Sequence, residues 1–304
     1  MTEHEMTPAD PHRPSLRLSK HHGAGNDFLV LVDLDDRDAV GPGAVRILCD
    51  RRFGVGADGF IRIVAGSEGA DLTMDLTNAD GGTAEMSGNG MRCLAQAAVR
   101  AGLVEPPEFT VATRGGVRVV AYRVAEGVGP GWASVDMGEV HLGHEGPTAG
   151  VGDRARLVDV GNPHLVLMVE DPVETDVVAL GSALQGEFAD GINVEFIAVG
   201  PAADSLVLRV WERGVGETLA CGTGSVAAAA AAHDWGLVDT TVEVRNPGGT
   251  LRVELRPDAA VLSGPVVFVA DVDVPADLLA GTGFEPDEHD ARPESLATVA
   301  GRRP

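Results

Sequence analysis

The chain is poor in lysine, cysteine and aromatic residues, and short of positive charge. Lys20 is its single lysine; every other basic side chain is arginine. A pyridoxal phosphate enzyme needs a lysine amine for its Schiff base. Lys20 lies in an extended-looking N-terminal segment, so pyridoxal chemistry is set aside and no cofactor is expected. Three cysteines, Cys49, Cys93 and Cys221, do not make a disulfide framework, and an odd count fits a reducing compartment. No apolar run reaches the length of a membrane span. The segment Met1 to Ser15 is polar and proline-bearing, without the apolar core of a secretion signal, so a cytoplasmic location is expected. With 23 basic residues against 46 acidic ones, the formal charge is −23. That argues against nucleic acid or an anionic membrane as a partner. It leaves small anions open, because single arginines and backbone amides decide those. His21, His22 and Asp27 come together but read as a polar glycine turn, and no metal is expected.

What the chain does have is length, apolar content and glycine. Its 304 residues suffice for two ordinary domains. A hydrophobic content of 44% and a mean hydropathy of +0.07 support full cores rather than disorder. Residues 1–15 and 285–304 are charged, proline-bearing and aperiodic, and read as mobile tails.

The stretch from Trp211 to Ser225 carries the chemistry. Leu206, Leu208 and Val210 alternate as in a half-buried strand. Gly214 and Gly216 break the strand. Cys221 then precedes Gly222-Thr223-Gly224, which open a helix through the alanine run Ala227 to Ala232. The first amides of a helix lack internal partners, and the helix dipole adds partial positive charge there. Together they make a carboxylate site. The same field favours thiolate, and a cysteine so placed can have its pKa lowered to about 3.5–7.5.

The arrangement occurs twice. Gly161-Asn162 answers Gly25-Asn26, and Ala189-Asp190-Gly191 answers Ala57-Asp58-Gly59. Cys221-Gly222-Thr223-Gly224 answers Ser87-Gly88-Asn89-Gly90, and Pro247-Gly248-Gly249 answers Arg114-Gly115-Gly116. Four glycine-marked motifs recur in order at nearly one offset, which indicates a duplicated domain. Two such domains imply a pseudo-twofold axis, with the helix starts at Gly88 and Gly222 facing across a cleft. A carboxylate pinned there would have Ser87 on one face of its α-carbon and Cys221 on the other. That geometry inverts a stereocentre by removing a proton from one face and returning one to the other.

These residues resemble the diaminopimelate epimerase family, cofactor-independent enzymes that interconvert LL- and meso-2,6-diaminopimelate on the route to lysine and peptidoglycan. The resemblance runs from about Leu18 to Val274. It rests on His22-Gly23-x-Gly25-Asn26-Asp27-Phe28, Gly54-x-Gly56-x-Asp58, Asn78-Ala79-Asp80-Gly81, Gly88-Asn89-Gly90-x-Arg92-Cys93, Gly161-Asn162-Pro163-His164, Asn193, and Glu212 through Gly224. It implies an α+β fold of two pseudo-symmetric domains, each a mixed sheet curled around a central helix, with the active site in the interdomain cleft. The expected division is 16–133 with 271–284 for the first domain and 134–270 for the second. A homodimer acting on a small amino acid is also implied.

The family's site residues carry over onto Cys221, which matches one of its two catalytic cysteines. Gly88, Asn89, Gly222 and Thr223 match the helix-end groups for the reacting carboxylate. Asn26, Asn78, Asn162, Asn193 and Arg213 match substrate-binding positions, several of them for the distal amino acid end. Arg213 suits a carboxylate because its fork binds both oxygens. Glu212 and His164 match polar partners near the cysteines. The family's first catalytic cysteine aligns with Ser87. A serine hydroxyl is a far weaker acid than a thiol and needs a neighbouring base, for which His164 is the candidate. Cys93 lies six residues on and cannot replace the missing thiol. Three readings therefore stand: an epimerase of this type using Ser87 and Cys221, a racemase or isomerase of another amino acid, or a binding paralogue that has lost one base.

Overall fold

The computed structural model describes residues 15–37, 40–124, 129–148 and 150–282. The tails expected over 1–15 and 285–304 lie outside the described residues except for Ser15, which begins the first strand. Residues 283–284 also lie outside them.

The first half runs β1 (Ser15–Gly23), β2 (Asn26–Val32), α1 (Pro42–Cys49), β3 (Gly59–Ala65), β4 (Leu72–Asn78), α2 (Gly88–Arg100), β5 (Glu108–Thr113), β6 (Gly116–Arg123) and β7 (Gly131–Gly138). The second half runs β8 (His141–Glu145), β9 (Arg154–Asp159), β10 (Pro163–Met168), α3 (Val177–Gln185), β11 (Asn193–Val199), β12 (Ser205–Glu212), β13 (Gly216–Thr218), α4 (Gly222–Asp234), β14 (Thr241–Asn246), β15 (Gly249–Leu255) and β16 (Ala260–Pro275). A 3₁₀ turn over Ala276–Leu279 follows.

The two halves repeat strand for strand. β2 pairs parallel with β3 as β10 does with β11. β3 pairs antiparallel with β4 as β11 does with β12. β4 runs parallel to β5 as β12 does to β14. The halves meet where β7 pairs with β16. Strand β16 is the long tie of the molecule. Its first part lies between β7 and β15, and from Val267 to Pro275 it pairs with β1. β7 runs through the expected limit at 133 and β16 through the one at 270. Hydrogen-bonded strands, rather than a linker, therefore join the halves.

Each half of the continuous sheet curls around one helix. α2 is buried from Gly88 through Ala98, and α4 from Gly222 through Ala232. A helix apolar all round is a buried one, and α4 is of that kind, whereas α2 buries Asn89, Arg92 and Gln96 through hydrogen bonds. Alanine suits α4, since it is the strongest helix former and its small side chain lets strands close in. The β1–β2 turn shows why glycine recurs at element ends. Ala24 and Gly25 have φ of 54° and 84°, the left-handed pair that a two-residue hairpin turn requires.

Candidate active site

The helix starts of α2 and α4 are built alike. Ser87 caps α2 from extended backbone (φ −140°, ψ 121°), and its Oγ accepts from the Gly90 amide at 3.1 Å. Cys221 caps α4 in the same way (φ −116°, ψ 123°), with its Sγ accepting from Gly224 N–H at 3.3 Å. The two starts abut. A Cβ placed on Gly222 would lie 3.2 Å from Gly88 Cα and 3.5 Å from the Asn89 nitrogen. Leu262 of β16 seals the underside, 2.6 Å from a Cβ on Gly88 and 2.9 Å from one on Gly222. A Cβ on Gly222 would crowd the backbone of the other helix start, and one on Gly88 would press into the Leu262 and Met137 side chains. The free amides of both helices and both dipoles thus converge on one place.

Asparagines tie this place together. Asn89 Nδ2 donates across the halves to Ala220 O at 2.8 Å and to Asn26 Oδ1 at 3.1 Å. Asn26 donates in turn to Asp58 at 2.8 Å, and Arg51 holds both Asp58 and Asp27. In the second half Asn162 Nδ2 donates to Thr223 Oγ1 at 3.4 Å, and Thr223 Oγ1 lies 3.5 Å from Cys221 Sγ. His164 Nε2 meets Asn162 Oδ1 at 2.9 Å, and its Nδ1 meets Glu195 Oε1 at 2.7 Å. His164 and Glu195 are both fully buried. The second oxygen of Glu195 is buried without a partner among the described residues.

The electrostatics of Cys221 differ from the sequence expectation. Its thiol is pushed well above the ordinary value, not below it, first by burial and then by the carboxylates of Glu212 and Glu195; Thr223 and the Gly224 amide oppose this only in part. The helix field is real, but desolvation and two nearby negative groups outweigh it. Glu212 is likewise raised by burial, against hydrogen bonds from Thr218 and Cys221. The two groups therefore act on each other unequally: the Glu212 carboxylate disfavours the thiolate, and the Cys221 thiol, as a hydrogen-bond donor, favours the carboxylate.

The pseudo-symmetry exposes a contrast between the faces. Beside Gly224 lies Glu195, with Oε1 2.7 Å from a Cβ placed there; beside Gly90 the matching neighbour is Ile61, with Cδ1 at 3.3 Å. His164 pairs with Asn193 in β10–β11, where Phe28 pairs with Gly59 in β2–β3. The ionisable groups thus gather around Cys221, and their counterparts on the Ser87 side, Phe28 and Ile61, are apolar. No acceptor for the Ser87 hydroxyl proton is found among the described residues, and the His164 ring is engaged by Glu195 and Asn162.

The residues expected at the distal end are more scattered. Asn193 donates to Pro163 O at 3.1 Å and accepts from the Arg213 amide at 2.9 Å. The Arg213 side chain donates to Asp190 O at 3.2 Å and is exposed. Asn78 ends β4 beside Gly59, partly exposed. The sequence reading passed over Glu195. Its signal was an acid inside the apolar run Val194-Glu195-Phe196, since an unpaired charge is rarely fully buried.

The comparisons with known proteins agree with one another. The diaminopimelate epimerase family model matches residues 18–143 and 156–269. A diaminopimelate epimerase from Thermobifida fusca is 42% identical over 276 residues, covering 85% of this chain and 98% of that protein. One from Corynebacterium glutamicum is 40% identical over 281 residues, covering 84% and 97%. Among solved structures, a hydroxyproline epimerase from Agrobacterium vitis has a TM-score of 0.69 at 18% identity, over 86% of this chain and 93% of that one. A PhzF-family phenazine biosynthesis protein from Bacillus anthracis has 0.67 at 17%, over 86% and 99%. Those two likenesses show the shared two-domain fold, and by the extent and identity of the sequence matches the chain belongs to the diaminopimelate epimerase family.

Proposed function

We propose that this chain is a cofactor-independent epimerase interconverting LL- and meso-2,6-diaminopimelate, a step towards lysine and peptidoglycan precursors. One observation carries the reading. Two abutting helix N-termini, at Gly88 and Gly222, bear matched caps, Ser87 and Cys221. A substrate α-carboxylate held by the amides of Gly88, Asn89, Gly222 and Thr223 puts its α-carbon between those caps. Cys221 is the acid or base on its face, exchanging its proton with Glu212. His164 orients that half through Asn162 and Thr223. Asn26, Asn78, Asn162, Asn193 and Arg213 bind the remainder of the substrate, with Arg213 turning its exposed fork to the distal carboxylate. The division into 16–133 with 271–284 and 134–270, a cytoplasmic location and a homodimer belong to the same reading.

Ser87 limits the rate. On its face the donor to the carbanion is a weak acid, on the side that has Phe28 and Ile61 in place of His164 and Glu195, so inversion is slow relative to exchange at Cys221. A second reading follows from the same asymmetry: one-sided proton exchange on this or another amino acid, with Cys221 as the sole base. Proton NMR with LL-diaminopimelate in deuterium oxide separates the two. Deuterium at the α-position together with the meso isomer supports the epimerase, and deuterium without inversion supports one-sided exchange. Full-rate epimerisation in a Cys221→Ala variant removes both.

A further inference from the structure

Arg92, one turn into α2, is the bulkiest of the fully buried side chains among the described residues. Three partly buried arginines meet carboxylates: Arg62 with Asp33, Arg156 with Asp234 and Arg209 with Glu217. Arg92 meets none among the described residues. Its Nη2 donates to Asn89 Oδ1 at 2.7 Å, its Nη1 to Gly88 O at 3.3 Å and its Nε to Pro265 O at 3.4 Å. Two glycines make the space. A Cβ on Gly23 would lie 2.8 Å from Nη2, and one on Gly264 3.3 Å from Nε. Burial lowers the guanidinium to about 10, still charged at neutral pH.

A buried charge without a counter-ion is costly. This one lies directly behind Gly88 and Asn89, the residues whose amides open α2 onto Gly222. It also settles the Asn89 carboxamide. With Oδ1 taken by Arg92, Nδ2 faces Ala220 O and Asn26 Oδ1, and the first of these bonds ties the start of α2 to the start of α4. We propose that Arg92 is a positioning residue of the carboxylate site, supplying full positive charge behind the paired helix starts and fixing Asn89, with the ligand carboxylate as its counter-ion. The proposal rests on reading the helix ends as a carboxylate site, but not on which amino acid is turned over.

The test uses Cys221 itself as reporter, in the full chain, by peptide mass mapping of its alkylation. Iodoacetate carries a carboxylate and iodoacetamide does not, so the ratio of their rates reads the charge of the cradle. The wild type should favour iodoacetate relative to free cysteine. Arg92→Met should lower the ratio about tenfold, the size of one screened charge at short range, with the iodoacetamide rate little changed. Arg92→Lys should restore most of the preference. If Arg92→Met does not fold, Arg92→Gln, which keeps a donor towards Asn89, carries the same readout. A merely structural role changes both rates together and overturns the proposal. So does a wild type with no iodoacetate preference, or one that neither reagent reaches. Absence of diaminopimelate turnover bears on the proposed function and leaves this ratio intact; a flat ratio in an active enzyme removes the role of Arg92 alone.

Discussion

His164 and Glu195 share a hydrogen bond of 2.7 Å in which neither side chain is reached by solvent. Asn162 Oδ1 meets the other ring nitrogen, Nε2, at 2.9 Å, so both nitrogens of the buried ring are engaged. Breaking the pair leaves a buried polar group without its partner. Glu195→Ile alone should cost about 1–3 kcal/mol, the penalty of leaving the buried His164 Nδ1 without its partner. The double variant His164→Phe with Glu195→Ile copies the Phe28–Ile61 pair of the other half and should recover most of that loss. Activity should stay low in both. Urea denaturation measures the first claim and turnover the second; a double variant no more stable than the single one refutes the pairing.

Ser87→Cys should restore a second thiol at a cap whose backbone already matches that of Cys221. Epimerisation should rise by about 10²-fold or more, in the range of a positioned acid–base group. Following the meso isomer by NMR checks this, and an unchanged rate would place the limit elsewhere than Ser87.

Glu212→Gln should split two properties that usually move together. The Glu212 charge holds the Cys221 thiol up, so its removal lowers the thiol and speeds iodoacetamide alkylation near neutral pH. Turnover should fall about 10²–10⁴-fold, because the thiol loses its proton partner. Slower alkylation in the variant would show that Glu212 activates the thiol in the resting site instead.

His21 predicts a stability loss on mild acidification. Its ring accepts no solvent: Nδ1 bonds Gln96 at 2.8 Å and Nε2 bonds Ser19 at 2.9 Å. Burial, chiefly, lowers it from the ordinary 6.5 to about 4, with Arg100 adding and Gln96 opposing. The unfolded chain therefore takes up a proton that the folded one refuses. Stability is full above about pH 6.5 and falls as pH drops towards 4, by about 3 kcal/mol in all from this group. Denaturation midpoints at pH 7.5, 6 and 5 should fall more steeply for the wild type than for His21→Gln. Parallel profiles would remove His21 as the cause.

The sequence by itself determined the repeat, the two capped helix starts and the glycines between them. Each is a local demand: a cap residue before a helix, a left-handed turn, a backbone approach that tolerates no Cβ. Such demands are written in residue type and spacing, so Ser87, Gly88, Cys221 and Gly222 could be read before any packing was known. Only the tertiary structure decided what surrounds them. The sign of the Cys221 shift depends on burial and on Glu212 and Glu195, which come from β12 and β11. A reading of the helix start alone gave the opposite direction. The contrast of Glu195 with Ile61, and the cation of Arg92 behind Asn89, arise where strands from distant segments close around the two helices. Electrostatics at a buried site is set by everything within a few ångströms, and chain order does not record that distance.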